Sequence, residues 1–348
     1  MALAAESALP TAQSRDERTA DCEELIVASL ERVFDDPGGA VRAGTAAVHL
    51  ASGLAAEAAD DPLAVDLHAR ALAHLANAER VAADYEAAES TMRRAGERLA
   101  AGSGEPRLRA RVAELRASLE RDTGHPEHAV RSLRRAGDVY RQLGDRPSLG
   151  RVLVQEGVLL AHVGDTSKSL EALRQAFEVL QPKEDPRSVL AATQCLAYCL
   201  HKIGYDIAAA QLVREAAAVV ERRGDRVMRL RLDWLGARIG IALGHDGESE
   251  LRRVRDGFLE RGLVYDAALV CLDLATDYVR RQRLPDLRHL AQEMFPIFTS
   301  REIHREALAA LILLRDTLSS GRADLSLLDE LRSFLERSRY DRRLRFRS

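Results

Sequence analysis

Apolar residues recur along almost the whole chain at intervals of three and four, the spacing that gathers them on one side of an α-helix. Short polar turns interrupt this pattern at regular distances. The segments ADYEAAESTMRRA (83–95), GHPEHAVRSLRRA (124–136), GDTSKSLEALRQA (164–176) and GYDIAAAQLVREA (204–216) align without gaps, and GHDGESELRRVRD (244–256) continues the series. Their turns are spaced by 41, 40, 40 and 40 residues. Upstream of each turn lies an amphipathic stretch of about four helical turns with a small residue at a fixed offset: Ala76, Ala117, Gly157, Ala197 and Ala237. A small side chain at that point lets two helices approach closely, so each unit reads as a pair of packed helices.

The pattern decays toward both ends without stopping. Glu23 to Phe34 and Ala40 to Ala58 read as an atypical first pair, with Asp36-Pro37 supplying an N-cap and a proline at the first helical position. Asp61-Pro62 and Asp185-Pro186 repeat that start signal. Leu274-Ala275-Thr276-Asp277-Tyr278 and the Leu284-Pro285-Asp286 turn mark a sixth unit, with Ala291 and Met294 on its second helix. Residues 301–317 and 324–338 form a last pair across the Ser319-Ser320-Gly321 break and cap the array. The organisation expected is a disordered N-terminus over 1–16, a helical array over 17–340 and a basic tail over 341–348. Within the array fall an atypical pair (18–58), clear repeats (62–260), and divergent repeats with a cap (262–340).

These positions resemble the tetratricopeptide repeat: a large apolar residue, a small one, a Gly-Asp-Tyr-like turn, Ala, a bulky apolar residue and Ala again. In the first clear repeat they are Leu72, Leu75, Ala76, Ala83-Asp84-Tyr85, Ala88, Met92 and Ala95. The third has Leu153, Gly157, Leu160, Gly164-Asp165, Leu173 and Ala176, and the fourth Leu196, Ala197, Leu200, Gly204-Tyr205, Ala209, Val213 and Ala216. The usual period is about 34 residues; the longer one here adds roughly a helical turn to each pair. The segments FDDPGGAV (34–41), LAHLANAERVAADYEAAE (72–89), YDAALVCLDLA (265–275) and EMFPIFTSREIHREALAAL (293–311) look like tetratricopeptide regions of bacterial proteins that often carry an N-terminal helix-turn-helix DNA-binding domain. Only about 17 residues precede the first pair, so that domain is expected to be absent. The resemblance implies an all-α fold, a right-handed α-solenoid of about seven tetratricopeptide-like helical hairpins, and a non-enzymatic scaffold or regulatory adaptor for protein–protein interaction.

Composition agrees with a helical protein and narrows the function classes. In 348 residues, aromatics make up 4% and the net charge is −3, which argues against a dedicated polyelectrolyte binder. Of 51 basic residues only Lys168, Lys183 and Lys202 are lysine, a bias that fits a GC-rich genome, so most arginines read as solvated helix faces. Cys22, Cys195, Cys199 and Cys271 make no disulfide framework, and a reducing cytoplasm is the expected compartment. The first eighteen residues lack a signal-type apolar core, and the longest apolar run, Ala307 to Leu314, is too short to span a membrane.

No motif for chemistry emerges. There is no GxxxxGK[ST] and no strand-to-helix GxGxxG, so no nucleotide cofactor is expected. Cys195 and Cys199, four residues apart with His201 nearby, are the one arrangement with metal-ligand spacing; no second pair completes a site, and they read as packing residues. The scattered histidines read as surface or interface residues, and no catalytic residue, metal or cofactor is assigned. In a stacked array of this kind the first helices line the concave surface, which is the default site for a peptide or protein partner. By alignment the inner-facing variable positions of the first helices include Arg70, Asn77 and Arg80, then Arg151 and Gln155, then Gln194, Tyr198, His201 and Lys202, and finally Arg231, Trp234 and Arg238. That lining is mixed, basic and partly aromatic, suited to an acidic or C-terminal peptide because arginine holds a carboxylate through two parallel hydrogen bonds. Tetratricopeptide domains that clamp a C-terminal carboxylate use Lys and Asn at set positions, of which only Asn77 is matched. Trp234, the single tryptophan, reads either as a partner anchor or as the packing anchor of the fifth pair. Two alternative functions accompany this reading. One is a ligand- or peptide-responsive regulator of transcription or signalling. The other is an accessory subunit of a nucleic-acid-associated complex, resting on the arginine-rich 214–255 stretch and on the Arg337–Ser348 end, which carries six Arg and one Asp.

Overall fold

The computed structural model describes residues 14–33, 35–58, 60–223, 226–298, 316 and 325–338. Among these residues there are fifteen α-helices and no strand. They are α1 (Arg15–Arg32), α2 (Pro37–Glu57), α3 (Pro62–Val81), α4 (Tyr85–Ala101), α5 (Pro106–Asp122), α6 (Pro126–Gln142), α7 (Arg146–His162) and α8 (Thr166–Val179). The series continues with α9 (Pro186–Lys202), α10 (Asp206–Arg223), α11 (Arg226–Ala242), α12 (Glu248–Leu259), α13 (Val264–Arg280), α14 (Leu284–Phe298) and α15 (Leu325–Ser338). Seven described pairs are thus followed by one further helix. The first helix of the expected last pair, the N-terminal segment upstream of Ser14 and the basic tail lie outside the described residues. Helix α1 begins at Arg15, upstream of the boundary expected from sequence, because Ser14 and Glu17 form a reciprocal capping box.

Local chemistry explains where the helices start and stop. Asp36, Asp61, Asp145 and Asp185 each cap a helix through the side chain, in three cases three residues ahead, as with Gly39 N–H to Asp36 (2.8 Å) and Ser188 N–H to Asp185 (3.0 Å). A proline sits in the first turn behind each of the four caps. The first helix of a repeat ends in a six-to-one hydrogen bond, for example Asp165 N–H to Leu160 C=O (2.9 Å) and Tyr205 N–H to Leu200 C=O (2.9 Å). That closure needs a left-handed residue, supplied by Gly124, Gly164, Gly204 and Gly244, with φ between 81° and 88°. In the first clear repeat Ala83 occupies the same place at φ 62°, and it carries the Cβ penalty that glycine avoids.

The chain divides into two compact units, one of residues 1–120 with 138–143 and the other of 121–137 with 144–348. In the first unit α3 packs against α2 and α4, and Cys22, Ile26, Leu54, Leu72, Met92 and Leu115 share one core. In the second, α7 packs against α8 and α9, and α9 against α10 and α11; helices α11 to α15 enclose a core that includes Phe258, Leu272, Tyr278, Met294 and Phe334. The small residues Ala76, Ala117, Gly157, Ala197 and Ala237 are all buried, as their spacing predicts. All four cysteines are buried free thiols.

Four arginines of the arginine-rich stretch pair with carboxylates of their own unit. Asp233 holds Arg229 (2.8 Å) and Arg253 (3.0 Å), while Glu293 holds Arg252 (3.3 Å) and Arg255 (2.7 Å). The buried Tyr278 hydroxyl donates to Glu248 (2.6 Å) and accepts from Arg252 (2.9 Å), and Arg283 both pairs with Glu248 (2.6 Å) and covers the Tyr278 ring. Burial alone would push the Glu248 carboxyl up; hydrogen bonds from Tyr278, Arg283 and Arg252 outweigh it and hold the group at about 2. No described helix is long and apolar enough to cross a membrane.

Candidate functional site

Helices α7, α9, α11 and α13 are the first helices of successive pairs in the second unit, and their register follows from the repeat. A residue on one lies beside the residue about forty positions later on the next. Tyr198 and Arg238 are such a pair, and the Arg238 guanidinium carbon lies 6.0 Å from the Tyr198 ring centroid. Lys202, one turn further along α9, places Nζ 5.8 Å from the same centroid. Gln194 stands one turn before Tyr198, and Arg231, Trp234 and Arg238 follow the i, i+3, i+7 stripe of α11, all half-buried.

Trp234 is fixed on two sides. Its ring meets Phe258 of α12 edge-on, with centroids 5.9 Å apart at 79°, and its indole N–H donates to Asp273 Oδ2 at 2.6 Å. Asp273, on α13, is the residue that sequence reasoning missed. Its other oxygen, Oδ1, accepts from Arg332 of α15 at 2.7 Å, and Arg238 stands at 3.7 Å. Burial would raise the Asp273 carboxyl, but the charges of Arg332 and Arg238 and the Trp234 hydrogen bond prevail and keep it below its ordinary value. Two elements of the expected sequence reading therefore converge here, the tryptophan and the arginine of α11, on a carboxylate and a C-terminal-helix arginine that no repeat position announced.

The other expected site residues are placed differently. On α7, Arg151 donates to Ser148 Oγ (3.4 Å) and Gln155 is half-buried beside it on the same helix. His201 turns to Asp206 at the start of α10, Nδ1 to Oδ1 2.5 Å, and so ties the α9–α10 turn. In the first unit Arg70 pairs with Glu23 of α1, and the buried Asn77 accepts from Arg80 through Oδ1 at 3.2 and 3.0 Å. Cys195 and Cys199 flank Ser169 of α8, whose hydroxyl lies 3.9 and 3.3 Å from the two sulfurs and donates to Gly157 C=O (2.7 Å). The contact with Cys199 and burial push the Cys195 thiol up, while the same contact pulls the Cys199 thiol down. Among the described residues no group of three or more His, Cys, Asp or Glu is arranged to hold a metal.

Comparison with known proteins adds the architecture. No protein-family model matches the chain, and no curated protein matches it. Solved structures do. The chain is similar to a Rap protein complexed with Competence and Sporulation Factor, at TM-score 0.65 and 14% identity over 94% of this chain and 88% of that one. It is similar to aspartyl phosphate phosphatase F from Bacillus subtilis, at TM-score 0.62 and 14% identity over 83% of this chain and 73% of the other. A tetratricopeptide repeat protein from Parabacteroides merdae matches at TM-score 0.52 and 17% identity, covering 85% of this chain and 99% of its own. At these identities what is shared is the fold. With helices paired at a forty-residue spacing, small residues at the crossings and left-handed turns between them, the chain has the tetratricopeptide-type helical-repeat fold.

Proposed function

We propose that this chain is a non-enzymatic scaffold or regulatory adaptor that binds a peptide or protein segment along the first-helix face of its second unit. One observation carries the reading. Trp234 is anchored by Phe258 and Asp273 yet only half-buried, and it stands in one register with Tyr198 and Arg238. Rigid aromatic and arginine side chains that lose little entropy on contact are what protein-binding surfaces use as anchors. Gln194, Lys202 and Arg231 extend the same surface, with Arg151 and Gln155 one helix before it. The Rap protein of similar fold was solved with a bound factor, which supports ligand binding by an array of this kind. The phosphatase of similar fold contributes its architecture and no activity to this reading.

The test is copurification of the tagged chain from its native host, with and without nuclease, comparing wild type with the Trp234→Ala/Arg238→Ala double variant. The expected result is a stoichiometric protein partner that survives nuclease and is lost from the variant while the helical circular-dichroism melt is kept. A partner retained equally by the variant would move the site elsewhere. A regulatory form of the same reading is favoured by Asp273, which joins Trp234 to Arg332 and so links the site to helix α15.

A further inference from the structure

The turns between paired helices of the second unit carry apolar side chains that the fold does not use. Val163, Ile203 and Leu243 each stand immediately before the left-handed glycine of their turn, one repeat apart, and are 39% to 49% exposed. The turn itself requires nothing apolar there. Ala82 and Arg281 fill the same place in turns closed by the same six-to-one hydrogen bond, Asp84 N–H to Glu79 C=O and Arg283 N–H to Tyr278 C=O, both 2.9 Å. The middle turn departs further. Tyr205 precedes α10 where Asp84 and Asp165 cap α4 and α8 in the equivalent turns, and it is 63% exposed. A tyrosine ring cannot make the short bond to a first-turn N–H that those aspartates make, so the sequence gives up a helix cap and exposes an aromatic ring. Ile207, 79% exposed, stands where α8 has Ser167.

Single exposed apolar residues are ordinary on protein surfaces, whereas a row of them repeated along one edge marks an interface. These five side chains lie on the turns of three successive pairs of one unit, and the row ends at Thr123 on one side and Arg281 on the other. Its apolar character is symmetric about the middle turn, with the largest surface at the centre and one smaller residue a repeat away on either side. Its charge is antisymmetric. Lys168 stands at the Val163 end, at the start of α8, and Asp246 and Glu250 stand at the Leu243 end, around the start of α12. Lys168 has Asp165 and Asp246 has Arg281 as a partner within the chain, and both side chains remain mostly exposed. A surface with an apolar centre and ends of opposite sign is complementary to itself turned end for end, the condition for an isologous two-fold contact. In that arrangement Ile207 meets Ile207 of a second copy, Val163 meets Leu243, Lys168 meets Asp246, and Asp165 meets His245. Like charges at the centre are drawn aside, Lys202 onto the Tyr198 ring at 5.8 Å and Asp206 to His201 at 2.5 Å. We infer that two copies of this chain pair through the turn edge centred on Tyr205 and Ile207, a surface apart from the first-helix face assigned above to a peptide.

Sedimentation equilibrium of the full chain, with no ligand added, reads this pairing directly between about 1 and 200 μM, the range suited to an interface of modest size. The expected result is a rise with concentration from the mass of one chain toward that of two. Ile207→Asp and Tyr205→Asp each weaken the dimer about tenfold or more while the helical circular-dichroism signal is kept. Tyr205→Asp places there the residue that caps α4 and α8, so loss of the dimer in that variant is not a failure to fold. Lys168→Glu and Asp246→Lys each weaken self-association, and an equimolar mixture of the two pairs more tightly than either alone, because the mixed pair has opposite charges at both ends. The mass of one chain at every concentration overturns the dimer. A dimer untouched by Ile207→Asp and Tyr205→Asp overturns this surface, and a mixture that pairs no better than its components overturns the end-for-end arrangement. None of these readouts depends on a peptide partner, so peptide binding stands or falls separately.

Discussion

His74 shows how much a single residue on α3 matters to the first unit. It is 6% exposed, and its Nδ1 has no hydrogen-bond partner among the described residues. Burial, with Arg111 and Arg70 adding to it, lowers its pKa from 6.5 to about 3, Glu114 opposing. The folded chain therefore keeps this imidazole neutral where the unfolded chain binds a proton. Stability from this group is complete above the unfolded value and is lost as pH falls from about 6.5 toward 3, with a slope of at most about 1.4 kcal/mol per pH unit. His68, also buried on α3, is shifted in the same direction by burial and by Arg98 and Arg94. Urea denaturation between about pH 7 and pH 5 is expected to show wild type losing stability more steeply than His74→Gln; parallel curves would remove His74 as the cause.

Helix pairs are the level at which the sequence was most legible. Period, turn glycines, aspartate–proline starts and the small crossing residues are local rules, and each appears in the structure where the pattern put it. The proposed site was legible only in part. Tyr198, Trp234 and Arg238 stand on one stripe because the repeat fixes their register. Asp273 escaped notice because the spacing to α13 slips to 39 residues there, and a lone aspartate in a helix reads as solvated charge until its neighbours are known. Arg332 lies beyond the clear repeats, while Arg70 and Asn77 found internal partners that a repeat alignment does not reveal. Gly157 gives an element-scale test. An added Cβ would stand 2.9 Å from both Cγ and Cδ2 of the fully buried Leu173, whereas Ala197 faces the smaller Val213 in the equivalent crossing. Gly157→Ala is expected to destabilise by about 1–2 kcal/mol despite the better helix propensity of alanine. Adding Leu173→Val should recover part of that loss in chemical denaturation; a single variant as stable as wild type would show that α8 yields at this crossing.

For the molecule as a whole, its overall charge balance conceals a division of labour among its arginines. Arg229 at the start of α11 and Arg252, Arg253 and Arg255 of α12 pair with Asp233 and Glu293 of their own unit. The two-unit division has a different consequence, carried by the thiols. Cys22 belongs to the first unit and Cys195, Cys199 and Cys271 to the second, all of them buried and unoxidised. A thiol shut inside a core reacts only when the surrounding helices open, so its alkylation rate is a clock for that opening. Pulse labelling followed by peptide mass spectrometry would therefore time the two units within one chain and without any mutation. Saturation of a partner's site on the α9–α11 face should slow the clock of the three later cysteines and leave Cys22 running at its own pace.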